Sequence, residues 1–173
     1  MSRAFVKNDV PDEEILVPPR APLPPGTINY VTPRGLALLK SELAGLGRER
    51  AHAQAEISDA AERQRQLVAL TARISELNER IISAQVVDSH PHPRQGVRFG
   101  ATVTLHTLSG KNAGEQRRFT LVGVDEAMAS EGRIAFTAPI ARIILGKQVG
   151  DTATLHTAEG EKILEITAID YAG

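Results

Sequence analysis

Two apolar runs in the middle of the chain leave it little choice of fold. Leu36, Leu39, Leu43, Leu46, Arg50, Ala53 and Ile57 step by three and four, and so do Leu67, Leu70, Ile74, Leu77 and Ile81. This is the period of a helix that buries one stripe against another helix. Only a short polar stretch, with Ser58, Asp59 and Glu62, separates the runs. The pattern predicts an antiparallel helical hairpin. From Leu36 to Ile57 one arm spans about 33 Å at 1.5 Å per residue. The acidic pair Asp59 and Glu62 then sits at the tip, far from any globular core. The distal seam has Arg50, Ala53, Ala60 and Arg63 where the proximal seam has leucines, which predicts a tip less stable than the base.

The flanks set the rest of the organisation. Thr32 is placed as the N-cap of the first helix and Pro33 as its first residue. Gly45 and Gly47 each weaken that helix by about 1 kcal/mol relative to Ala, but the seam runs on through them. Residues 1–29 carry Pro11, Pro18, Pro19, Pro22, Pro24 and Pro25 among several acids, the composition of an extended, disordered arm. Its apolar cluster Ile15, Leu16 and Val17 is able to dock on a surface. After the hairpin, Pro91 and Pro93 forbid helix in a linker with His90 and His92. The expected divisions are an arm at 1–29, the hairpin at 30–87, the linker at 88–96 and a second domain at 97–173.

In the last segment the period changes to two. Strands are expected at 100–107, 116–124, 133–137, 151–157 and 161–170, punctuated by glycines. Pro139 opens a short helix through Leu145, closed by Gly146. Thr102-Val-Thr-Leu-His-Thr107 echoes Thr152-Ala-Thr-Leu-His-Thr157, which suggests two similar hairpins. The expectation is an α+β chain: a helical hairpin, then a small antiparallel sheet with one short helix on its face.

Composition excludes several functions. There is no cysteine, so disulfides and cysteine–zinc sites are out. No apolar stretch approaches the roughly 20 residues of a membrane span, and Arg3, Lys7, Asp9 and Asp12 break up any leader core, so a cytoplasmic protein is the expectation. Net charge is −1, without the basic excess of a free nucleic-acid binder. Any approach to nucleic acid is expected to be indirect, through a protein partner. The histidines show no helical metal-ligand spacing. No phosphate loop or nucleophile elbow is present, so no self-contained active site and no cofactor of the chain's own are expected.

Two groups of residues remain candidates. Asp59 and Glu62 have the spacing of a capping box that starts the second helix. They also have the chemistry to complete a metal site on a partner. Both readings can hold at once, because a cap fixes where its carboxylates point. Arg48, Arg50, Arg63 and Arg65 form either a solvated face or a distal cluster that meets phosphates. Nearer the base, Glu76 and Arg80 have the spacing of a surface ion pair.

The ordered series of segments resembles the Gre family of bacterial transcription elongation factors, closer to its GreB branch. It runs through Tyr30-Val-Thr-Pro-Arg-Gly-Leu-Ala-Leu-Leu-Lys-Ser-Glu-Leu43, Ala84-Gln-Val-Val-Asp88, Val97-Arg-Phe-Gly-Ala-Thr-Val103, Val122-Gly-Val-Asp-Glu126, Ala138-Pro-Ile-Ala-Arg-Ile-Ile-Leu-Gly-Lys147 and Val149-Gly-Asp151. The resemblance spans about residues 30–171. It implies a coiled coil that enters the secondary channel of RNA polymerase, and a C-terminal domain with an FKBP-type sheet that docks at the channel rim. It implies that the tip acids, here Asp59 and Glu62, help hold the polymerase's second catalytic magnesium while backtracked RNA is cut. It places Asp125, Glu126, Pro139, Ile140 and Arg142 in the domain that faces polymerase.

The departures from the family pattern bear on activity. Ser58 and Arg63 stand where the tip normally has Gly and Asn, and Ala138-Pro139 replaces Ser-Pro. Each arm is about one heptad shorter, which retracts the tip by about 10 Å. Metal ligands tolerate only about 0.2 Å of error. The expectation is therefore a polymerase-binding regulator of elongation with weak or no stimulation of cleavage. A true cleavage factor is the alternative, and a coiled-coil interaction module unrelated to polymerase is a third reading. The proline-rich arm is expected to add a contact on polymerase or on another copy.

Overall fold

The leucine period resolves into two helices of equal length, α1 (Pro33–Glu56) and α2 (Ala60–Ser83), each of 24 residues. The computed structural model describes residues 20–88 and 96–171. Pro33 opens α1, and the Thr32 hydroxyl accepts a hydrogen bond from the Gly35 amide at 2.9 Å, as its position before Pro33 predicts. Leu39, Leu46, Ala53, Leu70 and Leu77 are buried along the seam. Leu36, Leu43, Ile57, Leu67, Ile74 and Ile81 pack around them. Arg50, in the expected seam, is exposed instead; beside Ala53 a guanidinium gains nothing from burial and keeps its water.

A two-residue parallel ladder ties the ends of the hairpin together. Strand β1 (Tyr30–Val31) precedes α1 and β2 (Gln85–Val86) follows α2, with Tyr30 opposite Gln85. Pairs this short leave no periodic signal in the sequence.

The C-terminal unit is a five-stranded sheet in the order β5-β4-β3-β7-β6. Its strands are β3 (Ala101–Ser109), β4 (Gln116–Val122), β5 (Arg133–Ala135), β6 (Thr152–Thr157) and β7 (Gly160–Tyr171). The two echoing hexapeptides fall in β3 and β6, and both pair antiparallel with β7. One is central and the other is at the sheet edge, so similar sequence does not mean similar surroundings. The helix α3 (Pro139–Ile144) seats Ala141 and Ile144 on a core with Val97, Val103, Leu105, Phe119, Leu121 and Ile166.

The sheet is mixed, which corrects the expectation of a wholly antiparallel one. β4 and β5 are parallel, with Thr120 opposite Arg133. A tight turn cannot join parallel neighbours. The chain between them instead swings out through Asp125, Glu126 and a short 3-10 turn (Ala129–Glu131) before returning. That excursion carries two carboxylates to the base of the hairpin.

Candidate functional site

At the tip, the sequence places two acids and the local fold engages both. Asp59 is the N-cap of α2: its Oδ1 accepts from the amides of Ala61 at 2.9 Å and Glu62 at 3.3 Å. This is the first half of a capping box. The second half is not made, because the Glu62 carboxylate faces along the helix instead of back to the cap. Its Oε1 accepts from Gln66 Nε2 at 2.9 Å, and its Oε2 pairs with the Arg65 guanidinium. These two hydrogen bonds, Gln66 first, hold the Glu62 carboxyl below the usual glutamate range.

The four distal arginines do not form one cluster of free cations. Arg63 Nη1 donates to the carbonyl of Ile57 at 3.0 Å and braces the turn. Arg65 is held on Glu62. Arg48 and Arg50 are exposed on α1. The tip is thus a capped, internally charge-paired turn rather than a formed cation cage. Magnesium is usually held by one or two carboxylates with waters or phosphates completing its shell, but here Asp59 is engaged in the helix cap and Glu62 on both of its oxygens. As arranged here these residues do not fit a resident magnesium ion. Among the described residues no group of three or more His, Asp or Glu is placed to hold a metal.

At the base, Asp125 and Glu126 are turned inward. The resemblance places them in the domain that faces polymerase, and within this chain they meet the hairpin and the segment before it. The Asp125 side chain is 8% exposed and the Glu126 side chain 4%. Asp125 Oδ1 accepts from Arg20 Nη1 at 2.6 Å, and its Oδ2 lies 3.4 Å from Arg80 Nε. That second contact is within ion-pair range but is not aligned as a hydrogen bond. Glu126 Oε2 accepts from the Thr32 hydroxyl at 2.5 Å, and Oε1 accepts from Arg34 Nη1 at 3.1 Å. Buried carboxylates need such partners, and the excursion between β4 and β5 delivers them.

Arg80 is therefore not the surface partner of Glu76 that its spacing suggests. It is 8% exposed and donates to the Ala21 carbonyl as well as facing Asp125. Asn29, also buried, donates through Nδ2 to the carbonyl of Arg80 at 2.9 Å and to Ser83 Oγ at 3.1 Å. Tyr30 stacks edge-on with Phe136 at 5.6 Å, and Phe99 closes the trio. Neither Asn29 nor the aromatic trio carries a sequence signal of its own, because the partners are distant in the chain.

The arm expectation is corrected for its last residues. Arg20 links Glu42 on α1 to Asp125, so residues 20–29 lie across the hairpin base. Residues 1–19, with Ile15, Leu16 and Val17, and linker residues 89–95, with His90 and His92, lie outside the described residues. On the face of the β unit, Pro139 and Arg142 of α3 are exposed, while Ile140 packs toward the core. His156 is exposed and sits 3.2 Å from Glu161. Among the described residues no helix is long and apolar enough to cross a membrane.

Comparison with known proteins places this architecture. Residues 92–171 match the family model described as "Transcription elongation factor, GreA/GreB, C-term". The chain is 35% identical over 155 residues to transcription elongation factor GreB of Xanthomonas axonopodis pv. citri, covering 82% of this chain and 90% of that protein. It is also 35% identical over 156 residues to transcription elongation factor GreA of Ralstonia nicotianae, covering 82% and 96%. The two branches match equally, so the expected leaning toward GreB is not distinguished. A solved structure described as prokaryotic transcription elongation factor GreA/GreB from Nitrosomonas europaea covers 84% of this chain and 99% of its own. Its TM-score of 0.40 at 18% identity carries no argument by itself. The identity across nine-tenths of a GreB relative, joined to a helical hairpin with an acidic tip and a β unit behind it, decides the matter: the chain belongs to the GreA/GreB family of transcription elongation factors.

Proposed function

We propose that the protein binds bacterial RNA polymerase, enters its secondary channel with the helical rod, and regulates elongation with weak or no stimulation of RNA cleavage. The chain has no self-contained active site in this reading; it acts on the polymerase as an accessory factor, and reaches nucleic acid only through the elongation complex. The observation that carries it is the state of the tip. Asp59 is committed to capping α2, and both oxygens of Glu62 are engaged by Gln66 and Arg65. The shorter arms inferred from the resemblance act in the same direction. The exposed residues Pro139 and Arg142 of α3 are the surface offered to the channel rim, and Arg48 and Arg50 are the cations left to meet phosphates along the rod.

A second reading is supported by a different observation. The Arg65–Glu62 pair is solvent-exposed, and such pairs are weak, worth at most about 1 kcal/mol. A polymerase-bound magnesium ion could draw Glu62 away, which would make the protein a true cleavage factor.

The test is RNA shortening in stalled, backtracked elongation complexes, with Asp59→Asn and Glu62→Gln variants. Asn caps a helix about as well as Asp, so that variant removes charge and keeps the fold of the tip. Binding to core polymerase without acid-dependent shortening is the expected result. Strong shortening abolished by either variant establishes the cleavage reading. No binding to core polymerase at micromolar concentration returns the rod to a general coiled-coil module.

A further inference from the structure

We propose that residues 20–28 form a strap that fixes the direction of the helical rod relative to the β unit, with Arg20 as its pin. Arg20 belongs to neither the hairpin nor the sheet, yet it joins them. Its Nη2 reaches Glu42 Oε1 on α1 at 2.5 Å, and its Nη1 reaches Asp125 Oδ1 in the β4–β5 excursion at 2.6 Å. A few residues on, the strap turns at Pro24, where the Thr27 amide donates to the Pro24 carbonyl at 3.1 Å and Gly26 takes a left-handed φ of 74°. It then enters the buried Asn29, which is bonded to the last turn of α2. The strap is thus anchored on both helices and on the β unit.

The quality of the bonds makes Arg20 the pin. Among the described residues Asp125 has two cationic neighbours; Arg20 meets it with an aligned hydrogen bond, and Arg80 approaches at 3.4 Å without alignment. Arg80 in turn spends another donor on the Ala21 carbonyl, inside the strap. Removing the strap therefore weakens both cationic contacts of Asp125. Burial opposes the charge of Arg20, but its hydrogen bonds to Glu42 and Asp125 more than offset that.

Small rotations at this joint matter because the rod is long. A helix of 24 residues measures about 36 Å. A 10° swing at its base moves the tip by about 6 Å by the same geometry, far more than any contact at the tip tolerates. Rod direction is therefore a property this chain must control, whichever role the tip plays.

The free protein tests this without polymerase, and the absence of cysteine makes site-specific labelling straightforward. Ala61→Cys at the tip and Thr154→Cys on β6 place spin labels on two exposed positions, whose separation is read by pulsed dipolar spectroscopy. The expected result is one narrow distance in the parent pair. Arg20→Ala broadens it at least twofold in a chain that still folds, with a lower melting temperature because the buried Asp125 loses its aligned donor, and Arg20→Lys recovers part of the narrowing. Glu42→Gln, which loosens only the α1 anchor, gives an intermediate width. An unchanged distribution in folded Arg20→Ala and in Glu42→Gln overturns the strap.

Discussion

Gly123 faces the carbonyl oxygen of Tyr30 so closely that a Cβ there would stand 2.6 Å from it. The obstacle is backbone, in the strand that starts the hairpin, and cannot rotate aside. Gly123→Ala is expected to push the β4–β5 excursion away from β1. A loss of about 1–3 kcal/mol is expected from overpacking of this kind. Chemical denaturation measures the loss, and a change in the tip-to-β6 distance shows that the strain falls on the joint.

Thr32 and Glu126 form a relay on the other side of the same joint. The Thr32 hydroxyl takes the Gly35 amide and gives its proton to Glu126 Oε2. Thr32→Ala removes the cap of α1 and one partner of a buried carboxylate. About 1 kcal/mol is expected from the cap and a further 1–3 kcal/mol from the carboxylate left short of a donor. Thr32→Ser keeps the hydroxyl and is expected to stay within about 1 kcal/mol of the parent. Denaturation midpoints of the two variants decide this.

Gly45 and Gly47 lie inside α1, and nothing stands within 3.4 Å of a Cβ at either site. Alanine at each position is expected to stabilise the protein by about 1 kcal/mol, from helix propensity and a less flexible unfolded chain. Calorimetry of the single and double variants checks the sign. A loss of stability would mean that α1 depends on these glycines for a bend.

The Glu62 carboxyl is held below the usual glutamate range by Gln66 and then Arg65. A depressed carboxyl contributes stability above its unfolded pKa, and that contribution is lost as pH falls through the folded value. The sensitive window is therefore acidic, below the ordinary glutamate range. Carbon-detected NMR titration is expected to show Glu62 titrating low in the parent and moving up in Gln66→Ala. An unmoved midpoint would show that the Gln66 bond does not form in solution.

The two helices of the rod are legible in the sequence, because one spacing rule governs every apolar residue of the seam; Arg50, polar at a seam position, is turned out. Asp59 as a cap was legible for the same reason: capping is settled within three residues. Glu62 was half legible. Its spacing allowed a bond back to the cap, but Gln66 and Arg65, one turn further on, compete for the same oxygens and win. The burial of Arg80 and the pairing of Asp125 leave no local signal, since the partners they meet, Ala21 and Arg20, lie 59 and 105 residues away.

What the sequence by itself determined is the material of the molecule: two matched helices, an acidic tip with a capped turn, and a β unit closed by a short helix. The tertiary structure alone decided how these parts are aimed. The parallel return of β5 forces the chain out through Asp125 and Glu126, and these carboxylates then collect Arg20, Arg80, Thr32 and Arg34 from the hairpin and the segment before it. Local periodicity carries no information about such pairings, because a buried charge is satisfied by whichever partner the topology brings within reach.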